Sequence, residues 1–408
     1  MNNNTINTKQ SPIYKLSLFL YLLLFFGITK GQSINNDTIP QKDIVDFFRF
    51  KTTLSIQKDS ANAKSKGPFI SLMPAAGYTM LSGLTGTFVI STSFYTDSNK
   101  TKLSSILLNS NYSQYSQYWF ILNTNFYFEK YKLHFTGDMR YYKFPTKTYG
   151  LDINNKRSDA LAIDYSYLRI YQLVYREIRK NLYLGLGYNL DYHWNIKSDS
   201  LPTKTLNDFK KYNNNKKSST STGISVNILF DNRLNSVNPK NGYYALIQYR
   251  PNFKAMGSDS NWQNLLIDIR HYIPFPKRSK NTLCFWSYNK VTLKGTAPYL
   301  DLPSIGWDEY SNSGRGYVPG RFIGKNLFYA ETEYRYTITR NGFFGGVVFC
   351  NAQTTMQDIK SKFNTIIPGA GFGLRFKINK RSNTNLAIDY GFGIGGSRGL
   401  IFNLGEVF

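Results

Sequence analysis

Apolar and polar residues alternate with a period of two along most of the chain from Gly67 onward. In the segment 182–192 the even positions hold Leu182, Leu184, Leu186, Tyr188, Leu190 and Tyr192, and the odd ones Tyr183, Gly185, Gly187, Asn189 and Asp191. Successive side chains of a strand point to opposite faces, so this segment has one apolar face and one that is small or polar. The segments 370–378 and 386–394 repeat the pattern. Eleven such strands can be read before residue 296, near 69–79, 85–96, 101–110, 115–128, 131–144, 160–176, 181–195, 220–231, 242–252, 261–272 and 282–295. Five follow, near 326–339, 342–353, 367–378, 384–394 and 398–408. Strands of about ten residues, rich in Tyr and Phe on one face, fit a transmembrane barrel better than a soluble sandwich. The fold class expected is all-β, a sixteen-stranded antiparallel transmembrane β-barrel with long outer loops, one of them folded into the lumen.

Loop lengths test this independently. An even strand count lets an up-and-down barrel close with both ends on the inner side, and every odd-numbered connection then faces outward. The longest connections, 145–159, 196–219 and 296–325, are the fifth, seventh and eleventh. The connections 177–180, 340–341 and 379–383 are even and short. Long outer loops over short inner turns are the bacterial outer-membrane pattern. The exception is 232–241, an inner connection of unusual length.

The N-terminus reads as an address. Lys9 and Lys15 precede an apolar stretch, 16–28, and Thr29 and Gly31 offer small residues before a cut at Gln32. That is the order of a secretory signal. The expected organisation is a signal peptide at 1–31, a periplasmic tail at 32–66 with a short amphipathic helix near 43–50, and a barrel at 67–408. Elsewhere no run of about 18 apolar residues suggests a membrane helix.

Composition adds exclusions. Two cysteines and three histidines leave little for a disulfide framework or a metal cluster. No Gly-x-Ser-x-Gly elbow, His-Glu-x-x-His or phosphate loop is present, so neither an enzyme nor a cofactor is expected. The formal charge of +25 comes from basic residues scattered over strands and loops, with one modest cluster at Lys204, Lys210, Lys211, Lys216 and Lys217. It reads as compositional rather than as a nucleic-acid surface. Outer-membrane lipid and lipopolysaccharide are the expected surroundings. The inward glycines Gly369, Gly371, Gly373, Gly391 and Gly393 read as relief of crowding.

One segment carries a family. Gly314-Arg315-Gly316-Tyr317-Val-Pro-Gly320-Arg321-Phe322, followed by the strand with Glu331 and Glu333, resembles the sixth outer loop and next strand of the BamA/TamA-like bacterial surface-antigen barrels. Asp231-Asn-Arg233 with Asn238-Pro239-Lys-Asn-Gly242 resembles a second recurring segment, and Pro74-Ala-Ala-Gly77-Tyr78 the opening strand of barrel-only members. The resemblance implies a lumen lock of Arg315, Gly316 and Tyr317 against Glu331 and Glu333. It also implies an aspartate on the following strand, where this chain has Asn351 after Phe349. Asn351 brings no charge, so Asn351→Asp is expected to tighten the lock. A final strand running to Phe408, with Phe402 and Leu404 on the same face, resembles the C-terminal insertion signal of such barrels. The tail is too short for the family's polypeptide-transport-associated domains. The implied function is insertion, assembly or translocation of proteins at the outer membrane, as an accessory to other assembly proteins and to client barrels. The alternatives are a passive or gated pore, or a structural surface antigen.

Overall fold

Strands whose two faces differ this strongly must be buried on one side only, and the computed structural model shows which side. It describes residues 41–43, 69–96, 104–128, 132–151, 153–213, 216–308, 311–358, 365–380 and 383–408. The signal segment and nearly all of the tail, including the helix expected near 43–50, lie outside the described residues.

One antiparallel sheet of seventeen segments makes the wall. In order these are β1 (Phe69–Thr79), β2 (Gly83–Phe94), β3 (Ser104–Ser113), β4 (Tyr118–Phe128), β5 (Leu133–Lys143), β6 (Thr146–Thr148), β7 (Leu161–Arg179), β8 (Leu182–Ser198) and β9 (Ser218–Asp231). There follow β10 (Gly242–Asn252), β11 (Trp262–Pro274), β12 (Thr282–Gly295), β13 (Asn326–Thr337), β14 (Phe344–Met356), β15 (Ile367–Asn379), β16 (Thr384–Gly393) and β17 (Arg398–Leu404). β6 continues β5 beyond Pro145 and pairs with the same neighbour, β7, so the barrel has sixteen strands. Proline has no N–H for the ladder, which accounts for the break.

The faces are inverted relative to a water-soluble protein. Leu184 is 47% and Leu186 66% exposed on β8, whereas Asn189 and Asp191, on the opposite face of the same strand, are buried. Apolar side chains facing out and polar ones facing in suit hydrocarbon outside and a hydrated or polar lumen inside.

Closure is incomplete. With β5 and β6 counted as one strand, every strand from β1 to β17 pairs with its neighbour in sequence, but no ladder joins β17 to β1 among the described residues. The two edges nevertheless touch: a Cβ on Gly77 of β1 would lie 3.6 Å from the Cβ of Phe402 on β17.

The last strand is shorter than its alternation suggests, and this corrects the reading of the C-terminus. β17 stops at Leu404, and Gly405 at φ +97° turns the chain inward. Leu400 and Leu404 face outward, but Phe408 is buried within the lumen against Trp286, ring centroids 5.1 Å apart. Phe402, Leu404 and Phe408 therefore do not share one face.

Both ends of the barrel are covered. At the long-loop end, α1 (Thr203–Asn213) packs Leu206 and Phe209 with Tyr299, Leu300 and Leu302 of the eleventh connection. The phenol of Tyr299 meets Thr148 at 2.6 Å. At the other end, the 232–241 turn is braced by Arg233, which grips Asp231 through two bonds of 2.9 Å. This turn reaches Asn383 through the Asn238 amide (3.2 Å), and its Val237 carbonyl accepts the Glu406 N–H (3.2 Å).

Candidate functional site

The eleventh connection turns down into the lumen because its sequence supplies tight, self-bonded turns. Asp308 accepts the N–H groups of Asn312 (3.1 Å) and Ser313 (2.8 Å), and the Ser313 hydroxyl accepts the Gly306 N–H at 2.8 Å. Gly314 and Gly316 take φ of +79° and +102°, a region that L side chains rarely adopt. Gly316 also lies so close to β16 that a Cβ there would sit 2.7 Å from the Phe392 carbonyl oxygen.

This delivers Arg315, fully buried, into a cage of carboxylates. Its Nη2 donates to Glu331 at 2.5 Å and to Glu333 at 2.5 Å, and its Nη1 donates to Asp389 at 2.7 Å. The guanidinium also lies 3.6 Å above the Phe349 ring. Charged bonds of this kind are the strong ones, and a planar fork can serve several acceptors at once. Burial by itself would lower the arginine pKa. Glu331, Glu333 and Asp389 outweigh that and hold it well above its ordinary range.

The residues named from sequence are brought together here: Arg315, Gly316, Tyr317, Glu331, Glu333 and Asn351. Tyr317 donates its hydroxyl to the Pro368 carbonyl (2.5 Å) and accepts the Ile394 N–H (2.8 Å), tying the loop to β15 and to the end of β16. Asn351 has a different part from the one expected. Its amide donates to the Arg315 carbonyl oxygen (3.0 Å) and to Glu331 (3.4 Å). An aspartate there would face a carbonyl and a carboxylate, so the expectation that Asn351→Asp tightens the contact is reversed.

Sequence reasoning missed Asp389. It lies on the inward face of 386–394, beside Gly391 and Gly393, so its direction was readable. Its neighbourhood was not, because β16 and β13 are not adjacent in the sheet. The inward glycines clear space for the loop: a Cβ on Gly391 would lie 2.5 Å from the Gly316 nitrogen, and one on Gly393 2.3 Å from the Tyr317 ring.

The network continues toward the short-turn end. Arg375 bonds Asp389 (2.6 Å) and Glu406 (2.7 Å), and Arg335 bonds Glu333 (2.5 Å). Glu406 thus belongs to the lumen rather than to a solvated rim. The C-terminal segment touches the loop as well, since Asn312 donates to the Val407 carbonyl at 2.8 Å.

A second cluster lies nearer the long-loop end. Asp191 accepts from Arg250 (2.6 Å), Tyr171 (2.6 Å) and Tyr167 (2.5 Å), and Ser221 donates to Asp301 of the eleventh connection at 2.6 Å. Burial first, and then the Asp191 charge, push Asp301 up to about 7. No group of His, Cys, Asp or Glu among the described residues is arranged to hold a metal. Cys350 faces outward and Cys284 is buried.

Residues 104–408 match the Omp85 superfamily domain. No curated protein matches the chain. Among solved structures, BamA from Haemophilus ducreyi lacking POTRA domains 1–3 is similar at TM-score 0.54 and 17% identity, covering 86% of this chain and 77% of that one. CdiB from Acinetobacter baumannii is similar at 0.53 and 14%, over 84% of this chain and 60% of that one. CdiB from Escherichia coli is similar at 0.56 and 10%, over 84% and 68%.

Proposed function

This chain belongs to the Omp85 superfamily, bacterial outer-membrane barrels, and from that premise we propose that it inserts or translocates proteins at the outer membrane. Its role is accessory, with other outer-membrane assembly proteins capturing the client. The observation that carries this reading is the junction of β1 and β17, two strand edges in contact without a ladder. Backbone N–H and C=O groups left unpaired at such an edge template an incoming strand. In hydrocarbon they have no water to turn to, which makes a strand the favoured partner.

Arg315 is the lock in this reading. It holds the loop to β13 through Glu331 and Glu333 and to β16 through Asp389, and β16 is the neighbour of the free edge. Phe402 and Leu404, on that edge, retain the proposed part in the chain's own insertion, whereas Phe408 faces the lumen. An open passive pore fits less well, because the loop, the 405–408 segment and the 232–241 turn occupy the lumen and its inner mouth.

A disulfide across the junction tests the proposal. Gly77→Cys with Phe402→Cys starts from a Cβ separation of 3.6 Å, within the range that a disulfide spans. In a Cys350→Ser background, oxidation should deplete specific outer-membrane or secreted proteins, and reduction should restore them. An unchanged outer-membrane and secreted proteome under complete cross-linking would refute the reading.

A further inference from the structure

The inner floor of the barrel holds a cavity that the lock does not use. It is a partly open hollow of roughly 380 Å³ that includes solvent space at its mouth, lined by Asn238 and Lys240 of the 232–241 turn, Arg335 of β13, Arg375 and Lys377 of β15, Asn385 and Glu406, with Tyr336, Phe343 and Phe344 at its side. Four cations therefore face this space, with Glu406 the carboxylate lining it. Arg375 is saturated by Asp389 and Glu406. Arg335 is not: its Nε and Nη2 are engaged by Glu333 and the Phe408 carbonyl, but its Nη1 is buried with no partner. A buried guanidinium N–H without an acceptor is costly, and natural structures seldom leave one idle.

A second orphan has the opposite polarity. The Asn238 side chain donates through Nδ2 to Asn383, while its Oδ1, also buried, accepts from nothing. A ligand that satisfies both must accept from Arg335 and donate to Asn238. Carboxylates and sulfate at neutral pH only accept. Water and a phosphate group that retains one proton do both, and of the two only the phosphate also brings negative charge to the four cations.

We propose that this cavity is a binding site for a phosphate group, either free phosphate or a phosphomonoester. Arg335 and the ammonium groups of Lys240 and Lys377 donate to its oxygens, and Asn238 Oδ1 accepts a hydrogen bond from its remaining O–H. Lys377 spends bonds on Asn383, and an ammonium has three N–H to give. The three cations come from separate elements, the β9–β10 turn, β13 and β15, which suits a tetrahedral oxyanion better than a planar one.

The test is calorimetric titration of the full chain in a neutral detergent, free of phosphate, with inorganic phosphate, glucose 1-phosphate and dodecyl phosphate as separate probes. Saturable binding of one probe, at least tenfold weaker for sulfate, is expected. Lys240→Gln with Lys377→Gln should weaken it at least tenfold, while Lys211→Gln at the opposite rim should not change it. Heat-modifiable mobility on gels verifies that each variant is a closed barrel. Binding of inorganic phosphate identifies the free ion as sufficient, and binding of dodecyl phosphate alone identifies a lipid source. Absence of saturable binding for all probes, sulfate equal to phosphate, or an unaffected double lysine variant would each overturn the proposal.

Discussion

Arg315→Ala removes one cation from three buried carboxylates, but the structure shows that they do not suffer equally. Glu333 keeps Arg335 at 2.5 Å and Arg375 at 3.8 Å. Asp389 keeps Arg375 at 2.6 Å. Glu331 keeps only neutral donors, the Tyr329 phenol and the Asn351 amide. The penalty therefore falls on Glu331. Removing one partner of a buried ion pair costs about 3–5 kcal/mol. Taking up a proton offers little escape at neutral pH: for a carboxyl of ordinary pKa it costs about 3.7 kcal/mol at pH 7, though only about 1 kcal/mol at pH 5.

The loop should thus leave the lumen at pH 7 and stay more nearly docked at pH 5. The assay is limited trypsin cleavage at Arg321 in the purified barrel, scored against the wild type at pH 7, with a protease active at acid pH for the lower point. Glu331→Gln in the Arg315→Ala background removes the orphaned charge and should recover most of the protection. Arg315→Lys should recover only part, because an ammonium cannot reproduce the planar fork. If Arg315→Ala leaves cleavage unchanged, or Glu331→Gln gives no recovery, the assignment of the cost to Glu331 is wrong.

Other outcomes follow from the same geometry. Asn351→Asp should speed loop proteolysis, since a carboxylate would replace the donor to Glu331 and to the Arg315 carbonyl; slower cleavage would restore the sequence expectation. Gly391→Ala places a methyl 2.5 Å from the Gly316 nitrogen, an overpacking cost of about 1–3 kcal/mol, read as a lower temperature for loss of the compact gel form. Asp301, held up to about 7 chiefly by burial and next by Asp191, contributes docking stability that is complete below the free aspartate value near 3.9 and lost as pH rises through about 7. Ser221, His193, Arg250 and Lys290 also face it, so the control is Asp301→Asn, which should flatten the rise in loop cleavage between pH 6 and pH 8. Finally, cross-linking of Gly77→Cys to Phe402→Cys should be slower in Arg315→Ala than in the wild type, and equal rates would uncouple the loop from the β1–β17 junction.

Much of the wall was legible because a barrel in hydrocarbon leaves alternation almost no freedom. Slipping one residue would turn Asp191 and Asn189 outward and Leu186 inward, at a cost of several kcal/mol in the apolar layer. The cap was harder to read. Leu206 and Phe209 with Thr205 and Asn213 do form a helical face in α1, but eleven residues inside a long loop give a weak period. The carboxylate cage was half visible, since Glu331 and Glu333 lie on the strand that follows the loop, whereas Asp389 comes from β16 and is brought near only by curvature of the sheet. The C-terminus misled because apolar residues at even positions, Leu400, Phe402 and Leu404, resume at Phe408 after the single break at Glu406. Gly405 is where the chain leaves the strand, and glycine is common inside strands of this protein, so the mark of the turn is Glu406, a charge on a face that is otherwise apolar.

The position of the glycines links the loop to the edge. β15 and β16 carry Gly369, Gly371, Gly373, Gly391 and Gly393 inward, and each glycine in a strand interior forgoes about 0.5–1 kcal/mol of conformational preference. Alone, this stretch would be the softest part of the wall. The loop stiffens it: Gly316 packs on Gly391, Tyr317 bonds Pro368 and Ile394, and Arg315 bonds Asp389. Withdrawal of the loop removes all of these contacts together, beside the one strand pair that has no ladder beyond it. A loop seated this way restrains the β17 edge through β16, the one strand to which β17 is paired among the described residues. Strands rigid enough to hold the edge without help would need side chains where the glycines are, and those side chains would exclude the loop. The glycines that weaken the wall are therefore the same ones that admit the element able to strengthen it, and that makes rigidity at the junction conditional on the loop.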